Sequence, residues 1–157
     1  MSNYLSDQDY DFIYSKVPRL CVDLLIKNSN GQILLTKRDI EPYINHWHLP
    51  GGRVKFRETI LDAFDRICFA ELGENLVSRE VANAPGLGFA HLCLPKLIGS
   101  CEYLEEEQGG SPRHSISLVY LLEIGGEVEL KDGTFFSELP EVIIPMIGEF
   151  ITKHKII

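Results

Sequence analysis

The chain has 157 residues, a formal net charge of −8 and 45% hydrophobic residues. That is enough apolar material for one full core and too much for a disordered segment. The acidic balance argues against a general nucleic-acid or anionic-membrane surface, but a nucleotide site needs only local positive charge. The longest apolar runs, such as 118–122, are far too short to span a bilayer, and Met1 to Tyr10 is polar and acidic, unlike a signal segment. Cys21, Cys68, Cys93 and Cys101 match no zinc spacing and read as reduced thiols of a cytosolic protein.

In chain order, Ser6-Asp7-Gln8-Asp9 predicts the cap and first turn of a short helix ending near Ser15. Leu20 to Lys27 is loosely alternating and rich in branched residues, so it predicts a strand. Asn28-Ser29-Asn30-Gly31 predicts a hairpin turn into a return strand, Gln32 to Lys37. A glycine loop, Pro50-Gly51-Gly52-Arg53-Val54, leads into a helix from about Glu58 to Leu72 that stops at Gly73. Leu76 to Pro95 reads as a lid or as a loop with local structure of its own. Lys96 to Glu105 and Ser115 to Ile124 predict paired strands around an acidic turn, Glu105 to Pro112. Gly125-Gly126 predicts another turn, Glu127 to Leu130 a short strand, and Leu139-Pro140 the start of a last helix running to about Lys153. The order is α+β, in a single domain over 1–157 with neither repeat nor linker.

The glycine loop and its helix carry the chemistry. Gly51-Gly52 permits a turn that aims a carbonyl outward and brings backbone close to a ligand. On the helix, Ile60, Phe64, Ile67 and Glu71 share one stripe, with Glu71 as its only charge. A carboxylate ending an apolar stripe needs a positive partner. Arg66 or a metal ion is available for that, and magnesium is commonly held by one or two carboxylates plus substrate phosphates. Among the histidines, His46 and His48 flank Trp47, whose expected role is packing beneath the loop. His114 is the better histidine candidate for a base.

Five residues separate Gly52 from Glu58 and seven separate Glu58 from Arg66. With Glu71-Leu72-Gly73, this spacing resembles the Nudix box, the diphosphate-metal module of the Nudix hydrolases. A complete box has glutamates at the positions of Ile67, Ala70 and Glu71, and this chain keeps one of the three. The same reduction marks the GDP-mannose mannosyl hydrolase branch, which the first half of the chain resembles through Leu20-Cys21-Val22-Asp23, Leu34-Leu35-Thr36-Lys37-Arg38 and Trp47-His48-Leu49-Pro50-Gly51-Gly52-Arg53-Val54.

The resemblance implies an α/β/α sandwich with a mixed sheet and a dependence on Mg2+ (or Mn2+). It further implies a homodimer and a nucleotide-sugar substrate, while the charge balance and short apolar runs lead to the expectation of no nucleic-acid or membrane partner. In that branch water attacks the anomeric carbon and the nucleoside diphosphate leaves. Gly51, through its carbonyl, and Glu71 match metal ligands. Arg38, Arg53 and Arg66 match cationic catalytic residues, with Gly52 beside the substrate and Asp23 near the sugar. The branch's late Gln-His pair has no counterpart in Glu129 to Phe136, so Asp132, Glu102 and Glu105 to Glu107 are the candidate bases. Two further readings stand beside this one: a conventional pyrophosphatase acting on another nucleoside diphosphate derivative, and a nucleotide-sugar sensor without turnover.

Overall fold

The computed structural model of the protein describes residues 5–72, 95–105, 113–125, 130 and 133–157, leaving aside the side chains at 71, 72, 105 and 113. Its elements are α1 (Asp7–Tyr14), β1 (Arg19–Lys27), β2 (Ile33–Lys37), β3 (Trp47–His48), β4 (Gly51–Arg53), α2 (Ile60–Leu72), β5 (Lys96–Glu105), β6 (Arg113–Glu123), β7 (Thr134–Phe136) and α3 (Pro145–Lys153). The strands form one mixed sheet in the order β3-β2-β1-β6-β5, with β4 also paired to β1 and β7 to β2. β1 and β6 run parallel over nine register pairs, from Arg19↔Ser115 to Lys27↔Glu123. The other pairings are antiparallel.

β1 is buried from Val22 through Ile26 because both faces of this central strand are covered. Its even positions, Val22, Leu24 and Ile26, join Ala63, Phe64 and Ile67 of α2 in one core. Leu25, on the opposite face, joins Val119 and Cys101 with Ile147, Phe150 and Ile151 of α3 in a second core. The result is the α+β sandwich expected from the sequence. Among the described residues no helix is long and apolar enough to cross a membrane.

Local chemistry accounts for the element ends. The Ser6 side chain accepts from the Asp9 amide at 3.1 Å, and Asp7 and Asp9 sit in the positive first turn of α1. In the hairpin, Asn28 Oδ1 accepts from the Asn30 and Gln32 amides at 3.0 Å each, and Gly31 takes a φ of 78°. α2 begins at Ile60, two residues later than predicted. Thr59 and Asp62 cap it reciprocally: the Asp62 amide donates to Thr59 Oγ1 at 3.1 Å and the Thr59 amide to Asp62 Oδ2 at 3.3 Å.

Several predicted elements are corrected. The last helix begins at Pro145 and not at Leu139-Pro140. The intervening chain runs beside β3: the Trp47 amide donates to the Val142 carbonyl at 2.9 Å and the Ile144 amide to the Trp47 carbonyl at 3.0 Å. Proline at the first helical position then starts α3. The glycine loop is the extended strand β4 and not a turn, and neither Gly51 nor Gly52 has positive φ. Strands β3 and β7 were not anticipated, being two and three residues long. The predicted strand at 127–130 and the features within 73–94 and 106–112 fall wholly or mostly outside the described residues, and Leu130 itself lies in no strand.

Glu58, ahead of the cap, ties the loop to α2. Its carboxylate receives Arg66 Nε at 2.7 Å and Nη2 at 2.9 Å, and it accepts from the Lys55 amide at 2.8 Å. Arg66 Nη2 also donates to the Arg53 carbonyl at 2.9 Å. This bidentate contact first, and the Lys55 amide after it, hold the Glu58 carboxyl below its usual range against the opposing effect of burial. A lowered pKa contributes stability above the unfolded value and loses it as pH falls. Glu58→Gln is expected to cost about 2 kcal/mol in urea unfolding near neutral pH. The gap from the parent should shrink on acidification through the carboxylate range; equal losses at both pH values would contradict the pairing.

Candidate functional site

Strand parity assembles the site. β1, β4 and β6 are adjacent, so residues of one parity in each share a face. On the α3 side this brings together Arg19, Cys21 and Asp23 from β1, Gly51 and Arg53 from β4, and Ser115 and Ser117 from β6. These residues line a cavity of about 330 Å³, together with Gly52, Tyr10 of α1, Arg38 and His48 at the rim, and Tyr103 of β5. Three guanidinium groups thus surround one carboxylate in a chain whose net charge is −8.

Asp23 forms the floor. It is buried, and Tyr103 Oη donates to its Oδ2 at 2.8 Å. Burial raises its pKa from 3.8 to about 6, against the lowering effect of the nearby Ser117 hydroxyl, the Tyr103 hydrogen bond and the positive charge of Arg38. The same burial, aided by the Asp23 charge, pushes the Tyr103 hydroxyl well above its ordinary range and Cys101 up to about 12, so both remain protonated.

Gly51 is dictated by Asp23. A Cβ at Gly51 would lie 2.2 Å from Asp23 Oδ1 and 3.0 Å from the Val22 carbonyl, so no side chain fits there. At Gly52 an added Cβ would meet Ile67 at an ordinary 3.6 Å, on the α2 side. The ladder also directs the carbonyls. The Leu24 amide donates to the Pro50 carbonyl at 2.8 Å and the Val54 amide to the Leu20 carbonyl at 3.0 Å. The alternate residues Gly51 and Arg53 therefore turn their carbonyls away from β1. Arg66 takes the Arg53 carbonyl, and the Gly51 carbonyl leaves the same edge.

The other expected residues divide. Arg38 lines the cavity, with Nε donating to the Pro42 carbonyl and Nη2 to the Glu41 carbonyl at 3.3 Å. The Arg53 guanidinium stacks on the Tyr10 and Tyr14 rings, 4.8 and 5.5 Å from their centroids. Arg66 contacts Glu58 and the Arg53 carbonyl from the α2 side and is not among the residues lining the cavity. Its bidentate carboxylate partner among the described residues is Glu58. Glu71 lies in the last turn of α2, with its side chain outside the described residues, as is Asp132.

Trp47 packs edge-on against Phe136 of β7, ring centroids 4.8 Å apart. His48 Nδ1 lies 2.7 Å from the Leu49 carbonyl, which requires that nitrogen to carry a proton. His114 and Glu102 pair at 2.9 Å, but they alternate with Ser115 and Tyr103 and so face away from the cavity. Both are thereby removed as candidate bases. Among the described residues no three His, Cys, Asp or Glu side chains converge as a metal cluster. Sequence reasoning missed Tyr103, Tyr10, Arg19 and the two serines. The fourfold spacing of Tyr10 and Tyr14 on one helix was the available signal for the tyrosine pair.

A model of the NUDIX domain matches residues 17–145. The chain belongs to the NUDIX family. Low-salt glycan biosynthesis protein Agl8 of Haloferax volcanii is 39% identical to this NUDIX chain over 69 residues, 44% of each protein. An ADP-ribose pyrophosphatase of Methanocaldococcus jannaschii is 32% identical over 135 residues, 80% of this chain and 66% of that one. The matches thus span less than two thirds of either curated relative. Two solved structures share the fold at TM-score 0.64. A MutT protein from Methanosarcina mazei is 20% identical and covers 89% of this chain and 95% of its own. A bifunctional NMN adenylyltransferase/ADP ribose pyrophosphatase from Francisella tularensis, complexed with AMP and a manganese ion, is 23% identical and covers 94% of this chain and 46% of its own.

The buried Asp23 of this NUDIX chain sets a pH dependence. Its folded pKa lies above its unfolded one, so folding takes up a proton between 3.8 and about 6. The group opposes folding progressively as pH rises through that window, and fully above it. Asp23→Asn should leave stability near the parent's at about pH 4 and raise it by about 2 kcal/mol at about pH 7.5. Thermal unfolding at both pH values checks this; a difference that does not vary with pH would contradict it.

Proposed function

We propose that this NUDIX chain hydrolyses a nucleoside diphosphate sugar of the GDP-mannose kind with one divalent cation, Mg2+ or Mn2+. Water attacks the anomeric carbon, and the nucleoside diphosphate leaves. The observation that carries this reading is the fate of the box position at Ile67. Its side chain is 3% exposed and packs in the α2 core beneath Gly52. A core alkyl group there gathers no cation, so the fixed negative charge for a multi-metal attack on phosphorus is missing.

The donor set fits a single hard cation: the outward Gly51 carbonyl, the Glu71 carboxylate and the phosphate oxygens of the substrate. The chemistry a cation held there would supply is neutralisation of charge on the leaving diphosphate. The residues of the chain do the rest. Arg38 and Arg53 present planar forks to phosphate oxygens, while Gly52 lets the substrate approach the backbone. Arg66 positions the Arg53 carbonyl and, through Glu58, the loop. Asp23 and Tyr103 offer hydrogen bonds to sugar hydroxyls. With Glu102 facing away, the carboxylates left to serve as base are Asp132 and the run at 105–107.

The match to an ADP-ribose pyrophosphatase over 80% of this chain supports a second reading, attack on phosphorus of a nucleoside diphosphate derivative such as ADP-ribose. Hydrolysis of GDP-mannose and ADP-ribose in oxygen-18 water with Mg2+ separates the two. The first reading predicts label in the free sugar and an unlabelled nucleoside diphosphate; label in a phosphate with release of a nucleoside monophosphate would overturn it. Glu71→Gln should lower metal-dependent turnover at least about 100-fold. Near-parental activity in that variant would displace the cation from Glu71.

A further inference from the structure

The cavity lining carries more positive charge than a diphosphate requires. A diphosphate diester carries two negative charges, which one divalent cation already balances. Arg38, Arg53 and Arg19 remain on the cavity lining. Arg38 spends two donors on the loop carbonyls of Glu41 and Pro42. Arg19 and Arg53 do not: among the described residues, Arg19 Nε and Arg53 Nη1 are each buried without a hydrogen-bond acceptor. A buried guanidinium N–H without an acceptor is costly, and such groups in a cavity mark a place for a ligand oxygen.

One residue orients both groups. Arg19 Nη1 donates to Tyr10 Oη at 2.9 Å, and the Arg53 guanidinium lies on the Tyr10 ring at 4.8 Å. Tyr14, one turn on and 4.7 Å from the Tyr10 ring, backs the stack. The two guanidinium groups are therefore held from the same side, each with a donor left over, and planar forks suit carboxylate and phosphate oxygens.

Building on the hydrolase reading above, we propose that Arg19, oriented by Tyr10, forms an oxyanion subsite beside the diphosphate-binding Arg53, with Arg19 its specificity-determining residue. It takes a negatively charged group on the moiety attached to the diphosphate. The chemistry fits the carboxylate of an acidic sugar or a phosphomonoester on a neutral one. The preferred substrates are therefore nucleoside diphosphate derivatives with an extra negative charge.

The test compares matched pairs in the full chain: GDP-mannose against GDP-mannuronate for a carboxylate, and ADP-ribose against ADP-ribose phosphorylated on its terminal ribose for a phosphate. Calorimetric Kd and steady-state KM are both read. The charged member should bind about ten-fold or more tightly, and the pair that shows the larger ratio identifies the anion. Arg19→Leu should collapse that ratio toward one, while Arg19→Lys keeps part of it. Tyr10→Phe, which keeps the ring under Arg53 and removes only the hydroxyl, should lower the ratio with no change in unfolding midpoint. Equal affinity for both members of both pairs, or a ratio unmoved by Arg19→Leu, overturns the subsite even if hydrolysis proceeds. A charge preference seen in Kd without turnover keeps the subsite and sinks the hydrolase reading. Failure to bind any of the four compounds overturns both.

Discussion

The site depends on the close pairing of β4 with β1, which places Gly51 directly over the Asp23 carboxylate. The 2.2 Å between a would-be Gly51 Cβ and Asp23 Oδ1 leaves no alternative residue at that position. From this contact the rest follows. The pairing fixes register, and register sends Asp23, Arg53 and Arg19 to one face and Val22 and Gly52 to the other. It also frees the Gly51 carbonyl from the ladder. A backbone approach this tight needs anchorage, and the Arg66 fork provides it by gripping Glu58 and the Arg53 carbonyl together.

The two faces of the sheet divide the labour. The α2 face is a core in which the box position at Ile67 serves packing. The α3 face holds the polar cavity, where burial leaves Asp23 reluctant to ionise and leaves Tyr103 a hydrogen-bond donor. α1 adds a third component. It contributes no buried residue to the core; Tyr10 lines the cavity, and Tyr10 and Tyr14 both stack around Arg53.

Much of this was legible in residue order. The hairpin at Asn28-Ser29-Asn30-Gly31 and the long strands declare themselves because each is specified by adjacent residues. The box spacing points to Gly51, Arg53 and Arg66 because helix and loop geometry are local. What sequence hid is what long-range register creates. Tyr103 reaches Asp23 across 80 positions of chain. Arg19 joins the cavity only because β1 and β6 run parallel in one register. The role of Gly51 was read as a turn, since a glycine pair looks the same whether it serves backbone conformation or a neighbour's side chain. The start of α3 was misplaced because Leu139 to Ile144 is held beside Trp47 by tertiary hydrogen bonds that no local pattern announces.

The central claim is that a divalent cation and a diphosphate meet at the Gly51 carbonyl. Paramagnetic relaxation tests it directly: Mn2+ is titrated with GDP into isotope-labelled protein and backbone amide signals are followed. The account predicts that the amides of Gly51 and Gly52 broaden first, while those of Asn30 and Gly31, in the turn at the far end of β1, persist. Broadening centred on the His114 and Glu102 pair, with Gly51 unaffected, would contradict it.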